Sequence, residues 1–283
     1  MTLPKITVVT PSYNQGEFLR ETIESVLNQN YPHLEYFVVD GGSTDGSVEL
    51  IRQYEARIAW WVSENDNGQS DALRKGFERA TGQLLAWLNS DDVYFPNALN
   101  LIAHAYERDP NATLYVGGLA VGGYNNGPIR KCAVPPPPWG YLPRFGRFVT
   151  SQQSTFFDAN AYRLVGGIDV NKYMRMDADL IYRMLMEKKS IVRVKEIVSF
   201  IRWHSETKTT SDKGVDIYWQ ELEEFIQSLT VPRWQYQLAL SYMRFVRLIS
   251  GSYIESLWQA YRLRKYRMTD VWNEYWARQG LRA

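Results

Sequence analysis

Four short apolar or β-branched runs, at residues 6–10, 36–39, 58–62 and 83–88, alternate with stretches whose apolar residues recur at helical spacing. Alternation of this kind constrains the chain to an α/β unit with a mainly parallel sheet, because each right-handed crossover returns the chain to the same sheet edge. The last run, Gln83-Leu84-Leu85-Ala86-Trp87-Leu88, has the length and composition of a buried strand, and Asn89-Ser90-Asp91-Asp92 follows it directly. Open α/β sheets bind ligands beyond the carboxyl ends of their strands, so the paired carboxylates fall at the functional rim. Two adjacent carboxylates repel unless a cation joins them. A divalent metal carrying a phosphate-bearing substrate meets that need.

The helical stretches are equally legible. Leu19, Ile23, Val26 and Leu27 form one apolar stripe, and Asn14 with Glu17 three residues on predicts a capping box at its start. Val48, Leu50, Ile51 and Tyr54 mark a second helix, and Ala72, Leu73, Gly76, Phe77 and Ala80 a third. Trp60, Trp61 and Trp87 sit in predicted strands and are expected in the core. Beyond residue 121 the pattern loosens: residues 122–128 and 135–138 have loop chemistry, 155–157 and 190–201 read as strands, and 177–187 as a helix. From Arg233 onward Leu238, Tyr242, Phe245, Val246 and Ile249 mark one helical face, and Ile254, Leu257, Trp258 and Tyr261 another.

With 45% hydrophobic and 22% charged residues in a chain of 283, a substantial core is expected and extensive disorder is not. The net charge of +1 creates no global field that would draw the chain to nucleic acid. The charge is unevenly placed: residues 233–283 hold nine Lys/Arg against three Asp/Glu, which leaves the rest at a net −5. A single cysteine, Cys132, excludes an intrachain disulfide framework and suits a reducing compartment. With no secretory leader pattern and no window near the ~20 apolar residues that span a bilayer, the expected location is cytoplasmic, free or peripheral on the inner face of the membrane.

In a parallel sheet the loops at residues 10–14, 40–45, 63–71 and 89–92 share one rim. There Tyr13 can stack on a base, Asp40 can accept a hydrogen bond from a base N–H, and Asp91 and Asp92 can hold ribose hydroxyls and a metal bridging a diphosphate. Thr10-Pro11-Ser12-Tyr13-Asn14, the run Val39-Asp40-Gly41-Gly42-Ser43-Thr44-Asp45-Gly46-Ser47, residues 68–76, Leu88-Asn89-Ser90-Asp91-Asp92 and Met176-Asp177-Ala178-Asp179-Leu180 together resemble the family 2 glycosyltransferases of the GT-A fold. They arrive in the family's order over roughly the first 205 residues.

The resemblance implies a GT-A-type catalytic domain over residues 1–215, with helices flanking the sheet, and a helical C-terminal extension over 216–283. It implies inverting, metal-dependent transfer of a sugar from a nucleotide-diphosphate sugar to a hydroxyl of a saccharide or lipid-linked acceptor, in surface polysaccharide, glycolipid or glycan assembly. By that likeness Thr10, Tyr13 and Asp40 would contact the nucleoside, and Asp71, Arg74 and Asp91 would complete the nucleotide-sugar-binding set. Asp92 would be the direct ligand of Mn2+ or Mg2+, with His204 completing the metal shell or pairing with phosphate. Asp177 would be the base that deprotonates the acceptor hydroxyl. Three positions depart from the family: Gly41 stands where a second aspartate is frequent, Asn89 where an acid is frequent, and Arg74 where asparagine is common.

Several residues have a plainer reading. Asp45 and Asp179 are expected to be structural, the first organising a Gly-rich turn and the second as a first-turn acid. Gln152 and Gln153 suit an acceptor pocket or a polar strand edge equally. The C-terminal helices suit anionic lipid, packing on the catalytic domain, or a homodimer contact. A nucleotidyltransferase is the rival enzyme, although Pro11-Ser12-Tyr13-Asn14-Gln15-Gly16 lacks its Gly-rich basic loop. A non-catalytic nucleotide-sugar-binding scaffold is the rival outside catalysis.

Overall fold

The computed structural model describes residues 3–122, 129–145, 151–202, 204, 212–229 and 231–264. Strands β1 (Ile6–Ser12), β2 (Leu34–Asp40), β3 (Trp60–Ser63) and β4 (Leu84–Trp87) pair in parallel in the order β3-β2-β1-β4. Helices α1 (Gly16–Leu27), α2 (Ser47–Gln53) and α3 (Gln69–Arg79) connect them, so the βα alternation of the first 90 residues is realised as expected.

The sheet then continues through β5 (Val93–Tyr94), β6 (Leu114–Gly122), β7 (Ile129–Ala133), β8 (Thr155–Asp158) and β9 (Ile191–Ile201). Among the described residues it has nine strands in the order β3-β2-β1-β4-β8-β6-β9-β5, with β7 beside β6. This second half is mixed: β8 runs antiparallel to β4 and β6, while β6 and β9 are parallel. The remaining helices are α4 (Ala98–Arg108), α5 (Ala159–Leu164), α6 (Met176–Glu187), α7 (Asp212–Ser228), α8 (Arg233–Ile249) and α9 (Ser252–Leu263).

Successive strand residues point to opposite faces, so β1 feeds two cores. Val8 packs with Leu19 and Ile23 of α1, Ile51 of α2 and Ile102 of α4. Val9 packs on the other face with Leu73 and Phe77 of α3 and Leu180 and Met184 of α6. On that second face Phe77, Trp87, Phe157 and Tyr162 meet with ring centroids 5.1–6.0 Å apart, so Trp87 is the core residue expected. Trp60 and Trp61 are only partly buried at the sheet edge, where they pack against the two cores. At Gly76 the α3 backbone presses on β1 so closely that a Cβ would lie 2.6 Å from Val9 Cγ1.

The capping box expected at Asn14 and Glu17 does not form. Asn14 takes a left-handed φ of 50° and its Oδ1 accepts from the Thr44 N–H, while the first helical N–H, at Gly16, donates to Asp45 Oδ2 at 2.7 Å. A carboxylate from the neighbouring loop thus replaces the local cap, and full negative charge is the better match for a helix N-terminus. The other oxygen, Oδ1, accepts from the N–H and hydroxyl of Ser47, at the start of α2.

The boundary drawn at residues 215/216 falls inside α7. Glu221 of α7 accepts from the N–H groups of Tyr173, Met174 and Arg175 at 2.7–3.1 Å, which ties that helix to the loop leading into α6. No described helix is long and apolar enough to cross a membrane.

Candidate active site

Register alignment sets the rim. Ser12 pairs with Asp40 and Asp40 with Ser63, so β1, β2 and β3 end level. From β1 the chain proceeds to β2 on one side, and β4 lies on the other, which makes the β1/β4 junction the place where strand order reverses and a crevice opens. A cleft of about 710 Å3 lies there, within the range of small-ligand sites. Tyr13, Asp91, Asp92 and Asp177 all line it.

The acidic turn is held from three directions. Thr22 of α1 donates to the carbonyls of Ser90 and Asp92 at 2.8 and 2.7 Å. Arg202, fully buried after β9, donates from its backbone N–H to Asp92 Oδ1 at 3.3 Å and from Nη1 to the Asp91 carbonyl at 2.9 Å, and pairs with Glu21. His204 Nε2 lies 3.0 Å from Asp91 Oδ2, with its ring 4.4 Å from that of Phe18. Gln153 Nε2 donates to Asp92 Oδ2 at 2.8 Å, so this glutamine is a cleft residue rather than a plain strand edge. Burial, joined by the neighbouring Asp91 charge, holds the Asp92 carboxyl well above the usual carboxylate range.

The nucleotide-side expectations divide. Tyr13 is 62% exposed on the cleft wall. Thr10 is buried within β1 and its Oγ1 accepts from the Tyr36 hydroxyl at 3.0 Å. Asp40 is also fully buried: Oδ2 accepts from the N–H groups of Gly42 and Ser43 and from Ser63 Oγ, and Oδ1 from Ser43 Oγ. Neither lines the cleft. Asp71 and Arg74 are turned to each other at 2.8 Å as an i,i+3 pair on α3, with Glu78 also on Arg74, and they too stand behind the lining. Hydrogen bonding from Arg74 keeps Asp71 below the usual carboxylate range.

Asp66 is a lining residue that motif reading passed over. A Cβ on Gly41 would lie 2.9 Å from its Oδ2, so the Asp66 carboxylate abuts the position where the resemblance implies a second aspartate. The signal was the departure at Gly41 itself. Arg202, which also holds the acidic turn, carries no motif signal of its own in the sequence, because its partners at Glu21, Asp91 and Asp92 lie more than 100 residues away.

On the far wall, Asp177 is the second residue of α6 and its Oδ1 accepts from the Ala178 N–H at 2.7 Å. Asp179 pairs with Arg183 at 2.8 Å, the structural role expected of it. Gln152 donates from Nε2 to the Trp87 carbonyl. Three lining residues bring buried polar atoms without a hydrogen-bond partner: Ser12 Oγ, Gln15 Oε1 and Trp87 Nε1.

Residues 7–166, more than half of the chain, match the sequence profile of glycosyl transferase family 2. The chain belongs to that family. Its relatives include the "Putative teichuronic acid biosynthesis glycosyltransferase TuaG" of Bacillus subtilis (strain 168), 42% identical over 94 residues. An uncharacterized glycosyltransferase of Mycobacterium tuberculosis (strain CDC 1551 / Oshkosh), MT1564, is 32% identical over 190 residues. The matched regions cover 32% and 64% of this chain, and 37% and 68% of those proteins. Among solved structures, the Pyrobaculum calidifontis mannosyltransferase PcManGT, in complex with GDP-Man and Mn2+, superposes with a TM-score of 0.64 at 18% identity, over 89% of this chain and 72% of that one. S. aureus TarS superposes with a TM-score of 0.58 at 14% identity, over 86% and 71%. This family 2 glycosyltransferase therefore has the GT-A fold.

The acidic lining of the cleft is chemically suited to a divalent cation. Among the described residues no three His, Cys, Asp or Glu side chains gather as a closed metal cage. Among the described lining residues, four acidic side chains, of Asp66, Asp91, Asp92 and Asp177, stand against one cationic side chain, Arg202, which Glu21 engages. A hard cation held by one or two of these carboxylates would offset that excess.

Proposed function

We propose that this transferase moves a sugar, with inversion, from a nucleotide-diphosphate sugar to a hydroxyl of a saccharide or lipid-linked acceptor during surface polysaccharide assembly. The observation that carries the reading is the convergence of Asp91, Asp92 and Asp177 on one cleft at the strand-order reversal. The complexes of related folds with GDP-Man and UDP-GlcNAc support a nucleotide sugar as donor, and the TuaG name supports the polysaccharide context. The division into a catalytic domain and a helical extension near residue 215 belongs to the same proposal, as does a cytoplasmic location.

In this reading the nucleoside rests against Tyr13, with Thr10 and Asp40 buried in the strands behind it and Asp66 reaching it from the side. Asp71 and Arg74 stiffen α3 behind the donor. Asp92, with Asp91 and His204 beside it, would hold Mn2+ or Mg2+, which when bound offsets charge on the leaving diphosphate. Asp177 takes the proton of the acceptor hydroxyl as its oxygen bonds to the anomeric carbon and the bond from that carbon to the diphosphate breaks. The sugar's configuration inverts in one displacement, and no covalent sugar intermediate forms.

Incubation with a panel of nucleotide sugars should release nucleoside diphosphate only when a divalent cation is present. Asp177→Asn should lower turnover by at least about 100-fold, the size of a lost general base, while nucleoside diphosphate still raises the thermal midpoint. Full turnover in excess chelator would remove the role given to Asp92. Unchanged turnover in Asp177→Asn would remove the base.

A further inference from the structure

Helices α8 and α9 turn their largest apolar side chains away from the protein. The side of α8 that packs inward carries Tyr236, Ala239, Met243 and Val246. On α9 the buried residues are Ser252, Ser256 and Leu263, and Ser256 Oγ accepts from the Val134 N–H at 3.0 Å. Ile254, Leu257, Trp258 and Tyr261 of α9 are left 55–71% exposed. Trp234, Leu238, Phe245 and Leu248 of α8 are similarly bare. Eleven of the nineteen exposed large hydrophobic residues among the described residues fall between 234 and 261, so the apolar surface is concentrated on these two helices. Water-soluble surfaces rarely carry such a concentration without a binding partner.

Charge selects the partner. α8 contains no acidic residue, and the single acid of α9, Glu255, is directed to Arg193 and Lys195 of β9. Arg244 is exposed, Arg262 lies 4.9 Å over the Trp258 ring, and Arg264 lies 4.3 Å over the Tyr261 ring. Aliphatic residues flanked by Trp and Tyr with cations on their ring faces match the boundary between acyl chains and anionic headgroups. A second copy pressed on this face would instead bring arginine against arginine. We propose that the outward faces of α8 and α9 seat on an anionic lipid bilayer, lying in its surface without crossing it.

The full chain should co-sediment with vesicles containing about 30 mol% phosphatidylglycerol and bind pure phosphatidylcholine vesicles at least about tenfold more weakly. Binding to the anionic vesicles should weaken as salt rises. Phe245→Glu on α8 and Leu257→Glu on α9 should each lower partitioning at least about fivefold with an unchanged thermal midpoint. The paired reversal Arg262→Glu with Arg264→Glu should do the same with the apolar face intact. Failure to bind anionic vesicles would overturn the proposal. So would equal binding to neutral vesicles, or a concentration-dependent dimer that Leu257→Glu dissolves while vesicle binding is unaffected.

Discussion

Asp92 holds a carboxyl group where its charge is disfavoured, since burial and the Asp91 charge both resist ionisation. Its folded-state pKa lies above the unfolded value, so the folded chain binds the extra proton. The group therefore costs stability as pH rises through the unfolded carboxylate range, and the cost is full once pH exceeds the raised value. Asp92→Asn should accordingly raise the thermal midpoint in metal-free buffer near neutral pH, with a smaller gain in acid, while removing activity. A lower midpoint at neutral pH would show that the carboxylate is already compensated.

Glu35 is the opposite case. Burial would raise its pKa, but Lys5 Nζ at 2.6 Å, Thr7 Oγ1 at 2.6 Å and the N–H and hydroxyl of Thr81 outweigh that and bring it down to about 2. Its stabilising contribution is present above the unfolded glutamate value and is lost as pH falls toward about 2. Glu35→Gln should cost about 2 kcal/mol at pH 7 and flatten the acid limb of the stability profile, measured by urea unfolding across pH. An acid limb identical to the parent's would place that sensitivity elsewhere.

Among the elements, β1 to β4 and their helices were readable because each strand is a local apolar run and each connection a short amphipathic helix. The second half was harder because its pairings are remote: Leu84 meets Asp158, and Leu114 meets both Phe157 and Ile191. No local periodicity announces such partners. The same limit explains α1, whose start looked self-capped from Asn14 and Glu17 but takes its carboxylate from Asp45, 29 residues past Gly16. Asp71 and Arg74 differ, since their i,i+3 spacing is itself a local signal, and on α3 they are turned to each other. Convergence of Tyr13, Asp91 and Asp92 was legible from loop positions, and that of Asp177 only through the family resemblance; the supports at Arg202, Glu21 and Gln153 were not legible, because they arrive from three remote segments.

The α3 and β1 contact belongs to this scale too. With Val9 Cγ1 2.6 Å from where a Cβ would stand, Gly76→Ala must push the helix outward or force Val9 from its rotamer. The helix-propensity gain of alanine is about 1 kcal/mol, smaller than a severe overpacking cost, so a net loss of about 1–2 kcal/mol is expected in denaturant unfolding. A stabilised variant would mean that α3 yields freely.

For the whole molecule, α9 also covers the β7 edge of the sheet, and α8 packs beside it on residues 138–145. Leu263 packs with Ile129, Cys132 and Val134, and Gly140 sits against Val246, where a Cβ would be 2.8 Å from Cγ1. Ending the chain after Leu229 should uncover this cluster, lower the thermal midpoint by several degrees and increase binding of a hydrophobic dye. An unchanged midpoint would make the two helices an independent appendage.

Cys132 lies within that covered cluster, and burial pushes its thiol up to about 12, with Arg262 only partly opposing the shift. Because it is the chain's one cysteine, a thiol reagent at neutral pH has a single target, shielded while α9 stays seated. Labelling must then wait for transient detachment, and its rate becomes a stopwatch for how often the last helix lifts. Vesicles that hold α9 in place should slow that clock; vesicles that pull it off the sheet should speed it.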